Sequence, residues 1–577
     1  MFRPKNSAVN LNVEKVLVPC RNGLTFGPSS QIVFDIPRNI GFANLKNARL
    51  LTSVRIDATP NSVEPAYIPD RIAGANIFIE RCTIRSNGVL LEEMSNYNLY
   101  AKLYNSASWD TGIENKRTRL EGCMKSNRIQ DSPYHIGNAP LADAAAGVAA
   151  NNLRSVERQV ELPILGGIFQ KDIAWPLGEI PLEIEIILAR AEEVLGLPDS
   201  AGGGTRINVV GDQVGGIVCA NTAGAAGTNI QISAAQTAVY GPIGAGNELS
   251  TDANQNVVSC FPLKIGQLIR LTATAATAAR LTALATNGTM TITAITCNAG
   301  AFNITTSGAI DIGGGAGGVA AGVRLSTIDA NGVALSGNAQ TYRWSQPRLI
   351  IPKVVPPPQW AAAMMQAVVK GQYSVDVTSY INYRNAIVGT TTSSTSIIPA
   401  DLSRVKAILS VPVDEVGKER VDTRNGTMGG YMGAQSYQFQ INNNLAPSRL
   451  VQLGREAFNN PADLVSGAWG QTKAIPYEYG LGSNTGGVHA YELEKAIHAA
   501  NIPLRNLTFI TKPAALNGCW ALGRVLGPYG TSANLMGISS ILYLNYDGSN
   551  ANLKLLHNYV AHIRTFAVQP GGVQVIY

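Results

Sequence analysis

Charge is scarce in this 577-residue chain: Asp, Glu, Lys and Arg make up only 15% of it, and the net charge of +6 is spread along its length. There is no run of Lys or Arg, and Arg3 and Lys5 make the start only faintly basic. A specific nucleic-acid site built on a basic tail therefore has no support. Cysteine is sparse and scattered: the seven residues at 20, 82, 123, 219, 260, 297 and 519 form no close pair. Disulfide frameworks and zinc clusters show short repeated spacings, so these read as reduced, mostly buried small residues. Met1-Phe2-Arg3-Pro4-Lys5 is followed by polar residues and not by the apolar stretch of a signal peptide. Without a secretion signal, the sequons at Asn287, Asn303, Asn425 and Asn506 read as chance matches. Gly, Thr and Asn interrupt every apolar run before about eighteen residues, which argues against a membrane-spanning helix. The expectation is a protein assembled inside a cell and not secreted.

Local signatures of catalysis are also missing. The five histidines (His135, His489, His498, His557 and His562) include no H-E-x-x-H and no neighbour of a cysteine pair. His557 and His562 lie five apart, so on one strand they point to opposite faces and cannot share a ligand. No G-x-S-x-G elbow is present. Glu183, Glu185, Glu192 and Glu193 form the densest carboxylate group. Glu183 and Glu185 fall on one face of an alternating strand, so solvation explains them better than acid-base chemistry. Asp414-Glu415 with Lys418-Glu419-Arg420 reads as a mixed-charge surface or contact loop. Gly313 to Gly318 lacks the Lys-Ser/Thr and the strand-to-helix context of a phosphate loop and reads as a flexible turn. No catalytic, cofactor-binding or metal residue is assigned, and no cofactor is expected.

What the chain does have is 45% hydrophobic residues with 58 glycines, a packed strand-and-turn composition. Its length exceeds one core, so two or three domains are expected. A pattern is written twice. Ile36-Pro37 leads into Ala48 to Asp57, and Ile398-Pro399 leads into Val405 to Asp414. Each copy reaches a second alternating run ending in an Asn turn, Asn76 to Gly88 and Tyr437 to Asn444, with a helix-like stretch after it. In the first copy that helix is placed over Leu91 to Asn105, with Met94, Tyr97, Tyr100, Ala101 and Tyr104 on one core-packed face behind Glu92 and Glu93. Further strands are read at Val13 to Val18, Gln31 to Ile36, Ser155 to Leu165 and Glu179 to Leu188, the last with Glu183 and Glu185 on its wet face. Residues 195–340 are dominated by Ala, Gly, Thr and Asn, with strand-like pieces at Arg206 to Val210, Lys264 to Thr272, Thr289 to Thr296 and Val323 to Ile328. Thr341 to Lys353 reads as the last strand of the first unit. Pro356-Pro357-Pro358 is a stiff break, followed by a helix over 359–370 carrying Trp360, Met364 and Val368 on one face. The second unit has strands at Tyr373 to Arg384, Arg404 to Val413, Tyr437 to Asn442, Leu507 to Thr511 and Ile538 to Tyr546. A final pair, Tyr559 to Val568 and Val573 to Tyr577, flanks Pro570-Gly571-Gly572, and an amphipathic helix covers Val488 to Asn501.

Ile77 to Gly88, Val160-Glu161-Leu162-Pro163-Ile164, Trp175-Pro176-Leu177, Ile180 to Glu185, Tyr342 to Ile351 and Ser436 to Asn442 occur in an order that resembles a known family. It is that of the double jelly-roll major capsid proteins of tailless icosahedral DNA viruses, of the polinton-like virus and virophage type. Leu445-Ala446-Pro447-Ser448 departs from it where members often carry Tyr-Pro. The resemblance spans both β units, about three quarters of the chain, and omits the insert. It implies an all-β fold with a few short helices: two tandem eight-stranded jelly-roll β-sandwiches, the first carrying a β-rich Ala/Gly/Thr insertion. The expected division is 1–194 plus 341–355 for the first roll, 195–340 for the insertion as an outward tower, and 356–577 for the second roll with its linking helix. It further implies a non-enzymatic structural role in the virion shell, as homotrimeric pseudo-hexagonal capsomers. The implied partners are other copies of the chain, penton and minor capsid proteins, and an internal membrane or membrane-associated virion proteins. The alternative is a β-sandwich glycan-binding or fibre-type attachment protein.

Overall fold

The computed structural model describes residues 12–57, 69–124, 133–136, 154–195, 341–388, 391–414, 434–453, 486–511, 519–527, 531–546, 554–569 and 572–576. It also describes six strands of the insertion, within 217–327. Eight strands frame the first unit: β1 (Asn12–Pro19), β2 (Gln31–Asp35), β3 (Arg49–Asp57), β4 (Ile79–Ser86), β5 (Val89–Ser95), β6 (Arg158–Pro163), β7 (Glu183–Leu188) and β8 (Thr341–Val355). They pair in the orders β1-β8-β3-β6 and β2-β7-β4-β5, all antiparallel. Eight more frame the second: β9 (Tyr373–Ile387), β10 (Ser393–Ile398), β11 (Val405–Asp414), β12 (Ala434–Ile441), β13 (Asn444–Gln452), β14 (Leu522–Val525), β15 (Ser540–Tyr546) and β16 (Lys554–Gln569). Their orders are β9-β16-β11-β14 and β10-β15-β12-β13. Adding eight to each strand number of the first unit gives the second. Short strands widen the first sheet of each unit to seven and five strands. Two sheets built on four strands each in this order, with the first strand beside the last, are a jelly roll, and the chain contains it twice.

The repeated pattern in the sequence falls on equivalent strands. The Ile-Pro copies precede β3 and β11, and the Asn turns join β4 to β5 and β12 to β13. Asn87 and Gly88 have φ of 48° and 82°, and Asn442 and Asn443 have φ of 49° and 60°. Two consecutive left-handed residues twist a two-residue hairpin with the hand of its strands, which is why Asn and Gly stand there. Where the sequence suggests a helix directly after each turn, the chain instead continues as a strand in both units. The helices come later: α1 (Tyr97–Ala107) and α2 (Thr111–Leu120) in the first, α4 (Gly486–Ala499) in the second. Met94, Glu92 and Glu93 thus belong to β5 and not to a helix.

Period-two patterning places the core. Ile184 and Ile186 of β7, Tyr342 and Trp344 of β8, and Ile408, Phe439, Leu542 and Val560 of the second roll are buried. Each such side chain contributes about 1.5–3 kcal/mol by leaving water. Phe78 stacks tilted on Tyr342 at 4.4 Å between centroids. Pro357 caps and Pro358 opens α3 (Pro358–Val369), as a fixed φ favours, and Met364 and Val368 are its buried face. Trp360, half-buried, meets Phe42 edge-on.

The connection between β7 and β8 carries a sheet of its own, ordered 217–219, 227–232, 301–310, 290–298, 268–273, 323–327. The expected strands at 264–272, 289–296 and 323–328 match three of these, whereas 206–210 and 313–318 lie outside the described residues. Two further expectations change. Thr508–Thr511 is a helical turn and not a strand, and residues 74–78 form a 3-10 turn before β4.

Candidate functional site

The two rolls meet along a seam of buried polar and aromatic groups, the most chemically specific region among the described residues. Its centre is Glu92. A register shift in the β4–β5 pairing, between Ile84 and Arg85, makes Leu91 an extra residue, so Leu91 and Glu92 are both buried. Glu92 Oε1 accepts from the Gly167 backbone N–H and the Ser379 hydroxyl, each at 2.8 Å, and Oε2 accepts from Ile168 N–H at 3.4 Å. One carboxylate thereby joins β5, the start of the helical turn Gly167–Gln170 and β9 of the other roll. Burial pushes its pKa up, against the pull of these hydrogen bonds and of the Arg564 charge. Arg564 of β16 reaches back to donate to the Leu91 carbonyl.

Around this carboxylate the contacts are close. A Cβ placed on Gly167 would lie 2.2 Å from the Thr378 carbonyl oxygen, so only glycine lets the loop approach β9. The tyrosines read from sequence as core packing on α1 lie here. Tyr100 has its ring 4.5 Å from Tyr380 and 5.7 Å from Tyr559, and so packs against the second roll. Tyr559 donates to the Asn96 carbonyl at 3.0 Å, and Asn382 donates to the Asn96 side-chain oxygen at 3.1 Å. Trp175 stands edge-on to Phe566 at 6.2 Å. One hydrophobic cluster runs without a break from Val18 through these rings to Val573.

The other sequence candidates scatter. Glu185 is buried and not wet: Arg81 and Arg85 cover it at 3.6 Å and 3.5 Å, because long arginine stems shield apolar sheet while their heads pair. Glu183 is half-buried in the same strand, and Glu193 pairs with Arg190 at 2.6 Å. None of these places two carboxylates in a shared cleft. His557 and His562 both lie on β16. His489 is enclosed by the rings of Tyr437 and Trp520, and His498 lies 3.9 Å from Glu494 at the end of α4. Among the described residues no three His, Cys, Asp or Glu side chains come close enough to hold a metal. Among the described residues Cys20, Cys82, Cys123 and Cys519 form no disulfide, and all but Cys20 are buried. Of the loop from Asp414 to Arg420, only Asp414, the end of β11, is described. No helix of the described residues is long and apolar enough to cross a membrane.

The sheets β2-β7-β4-β5 and β10-β15-β12-β13 end in equivalent edge strands, β5 and β13, which leave Val89, Leu90, Leu445 and Leu450 exposed. Unpaired edges of this kind are ready-made contact surfaces.

No protein-family model matches the sequence, and no curated protein matches it. Among solved structures the chain is similar to VP54 of PBCV-1, fitted into a reconstruction of the virophage Sputnik, at 9% identity and a TM-score of 0.47, covering 100% of this chain and 99% of that one. It is similar to the Faustovirus major capsid protein at 9% identity and a TM-score of 0.46, covering 98% and 92%. The mavirus major capsid protein gives 8% identity and a TM-score of 0.34, covering 97% and 90%. The assignment of two jelly rolls to this chain rests on its own strand orders.

Proposed function

We propose that this chain is a major capsid protein that forms homotrimeric, pseudo-hexagonal capsomers tiling an icosahedral virion shell. The observation that carries the reading is the duplication of one strand order in two rolls joined by a buried seam. Three such chains around a three-fold axis present six nearly equivalent sandwiches, and a six-sided block fills a flat facet without gaps. The low charge suits extensive burial between copies, and the apolar edges of β5 and β13 supply contact surface at matching places in both rolls. In this reading the domains are 1–194 with 341–355, 195–340, and 356–577. The segment 195–340 leaves the first roll between β7 and β8 and projects outward as a tower. Penton and minor capsid proteins, with membrane-associated virion components, meet the inner side, and assembly takes place in the host cell. The role is structural, with no catalytic residue assigned.

Light scattering on the purified full chain, with negative-stain images of the same peak, tests this. The expected species has three times the 61.0 kDa chain mass and a six-sided outline. A chain lacking 195–340 is expected to give the same outline at lower height. A stable monomer or dimer, or loss of trimers on that deletion, contradicts the reading.

A further inference from the structure

A cleft of about 180 Å³ opens in the seam, walled by Gly167, Gln170 and Lys171 of the first roll and by Asp376, Val377, Thr378, Lys406, Asn501 and Ile563 of the second. The two lysines come from opposite walls. Lys406, half-buried on β11, has its ammonium 3.5 Å from the Thr378 hydroxyl, with no carboxylate of the described residues within ion-pair distance. Burial, and then the Lys171 charge, disfavour its charged form, with only Asp376 opposing them. Asp376 is itself engaged: it lies 3.6 Å from Arg404 and accepts from the Thr565 hydroxyl. Beside one carboxylate, already paired with Arg404 outside the lining, the cleft therefore sets Lys171 and Lys406, which repel each other across the joint between the rolls. Each water of the liquid takes about 30 Å³, so the space suits a small ion with a few waters and is too small for an extended organic ligand.

We propose that this cleft binds a small oxyanion, inorganic phosphate in its simplest form, between Lys406 and Lys171, so that the ion bridges the two rolls. The negative charge offsets the repulsion between the lysines, and the Thr378 hydroxyl and the Asn501 amide stand in the lining as further donors. The proposal does not depend on the capsid reading, because both walls belong to one chain.

Thermal unfolding of the full chain in phosphate, against chloride at the same ionic strength, tests it. The midpoint is expected to rise saturably with phosphate, and both K406M and K171M to weaken that dependence about tenfold or more. In chloride both variants should be as stable as the parent or more so, since a like-charge contact is gone. Lys171 is exposed, and its side chain makes no hydrogen bond among the described residues, so K171M carries the test if K406M folds poorly. Phosphorus NMR of added phosphate, broadened by the parent and not by K171M, gives a second readout. Glycerol 3-phosphate sorts the source: a matching shift marks a site open to phosphate esters, and its absence beside a phosphate effect marks one for the free ion. Either result keeps the site. An equal rise in parent and variants, which is the general stabilisation by excluded salts, or no rise at all, overturns the proposal.

Discussion

The two rolls share a strand order but bury different polar chemistry. The first encloses charge: Lys102 and Asp70 pair in the interior, with Asp70 also accepting from the Ile72 and Ala73 N–H groups at 2.9 Å, and Glu92 is buried at the seam. The second also buries charge, Glu492 against Arg524, and Arg564 at the seam, but adds neutral groups of its own. Neither ring nitrogen of His489 has a hydrogen-bond partner among the described residues, and His562 is fully buried. Asn558 joins Ser410, Asn385 and the Tyr383 carbonyl. The helices differ as well. The first roll's α1 is buried on nearly every side because the second roll covers it, whereas α4 of the second keeps Tyr491 57% exposed. Topology is thus set by strand period and turn chemistry, while the interior polar groups answer to what packs outside each roll.

The largest effects should come from breaking the buried features of the first roll. Tyr100→Ala removes a fully buried ring from the seam and is expected to cost about 3–5 kcal/mol in chemical denaturation. Tyr491→Ala, the exposed counterpart on α4 under Lys495, should stay within about 1 kcal/mol. Equal losses would refute the assignment of the seam to α1. Lys102→Met leaves Asp70 buried without its cation and should also cost about 3–5 kcal/mol.

Acid sharpens the contrast. Burial lowers the pKa of both His489 and His562 to about 4, from the ordinary 6.5. A base whose folded pKa is depressed contributes fully above the unfolded value, and that stability is lost as pH falls from 6.5 through 4. At about 1.4 kcal/mol per unit, each histidine accounts for about 3 kcal/mol. Glu92 runs the other way, since a raised carboxyl pKa makes its charged form a burden that acid relieves. Acidification should therefore loosen the second roll first. Hydrogen exchange at pH 5 is expected to show faster opening around α4 and β16 than around β4 and β5, and His489→Phe to narrow the gap. Uniform loss of protection would contradict this.

Smaller effects are expected at the seam loop and the turns. Gly167→Ala should cost about 1–3 kcal/mol, because its Cβ meets the Thr378 carbonyl and the rolls must separate slightly. The first roll turns on Asn87-Gly88 and the second on Asn442-Asn443. Asn443→Gly should therefore stabilise the second by a few tenths to about 1 kcal/mol, read as a shift in denaturation midpoint.

Much of the framework was legible in the sequence, because alternation and Asn turns are local. The paired copies at β3 and β11, and at β4 and β12, come from them, as does the long β8 with Tyr342 and Trp344 inward. The seam was less legible. Glu92 carries the same letter as an exposed residue, and only a shifted register in β5 turns it inward. Met94, Tyr97, Tyr100 and Tyr104 fit a helical period even though a strand ends between the first two. Glu185 alternates as a wet residue should, yet two arginines from β4 cover it. Residues 507–511 carry β-branched and aromatic side chains, but Arg505 and Asn506 both donate backbone N–H groups to the Ala107 carbonyl at 2.8 and 3.1 Å. That tertiary contact overrides local propensity.

Cryo-electron microscopy of the purified assembly tests the central claim most directly. The expected result is a three-fold map in which first and second rolls alternate around a six-sided ring, each pair joined at Glu92 and Tyr100. A two-fold assembly, or a map in which the rolls of one chain sit apart, would contradict it.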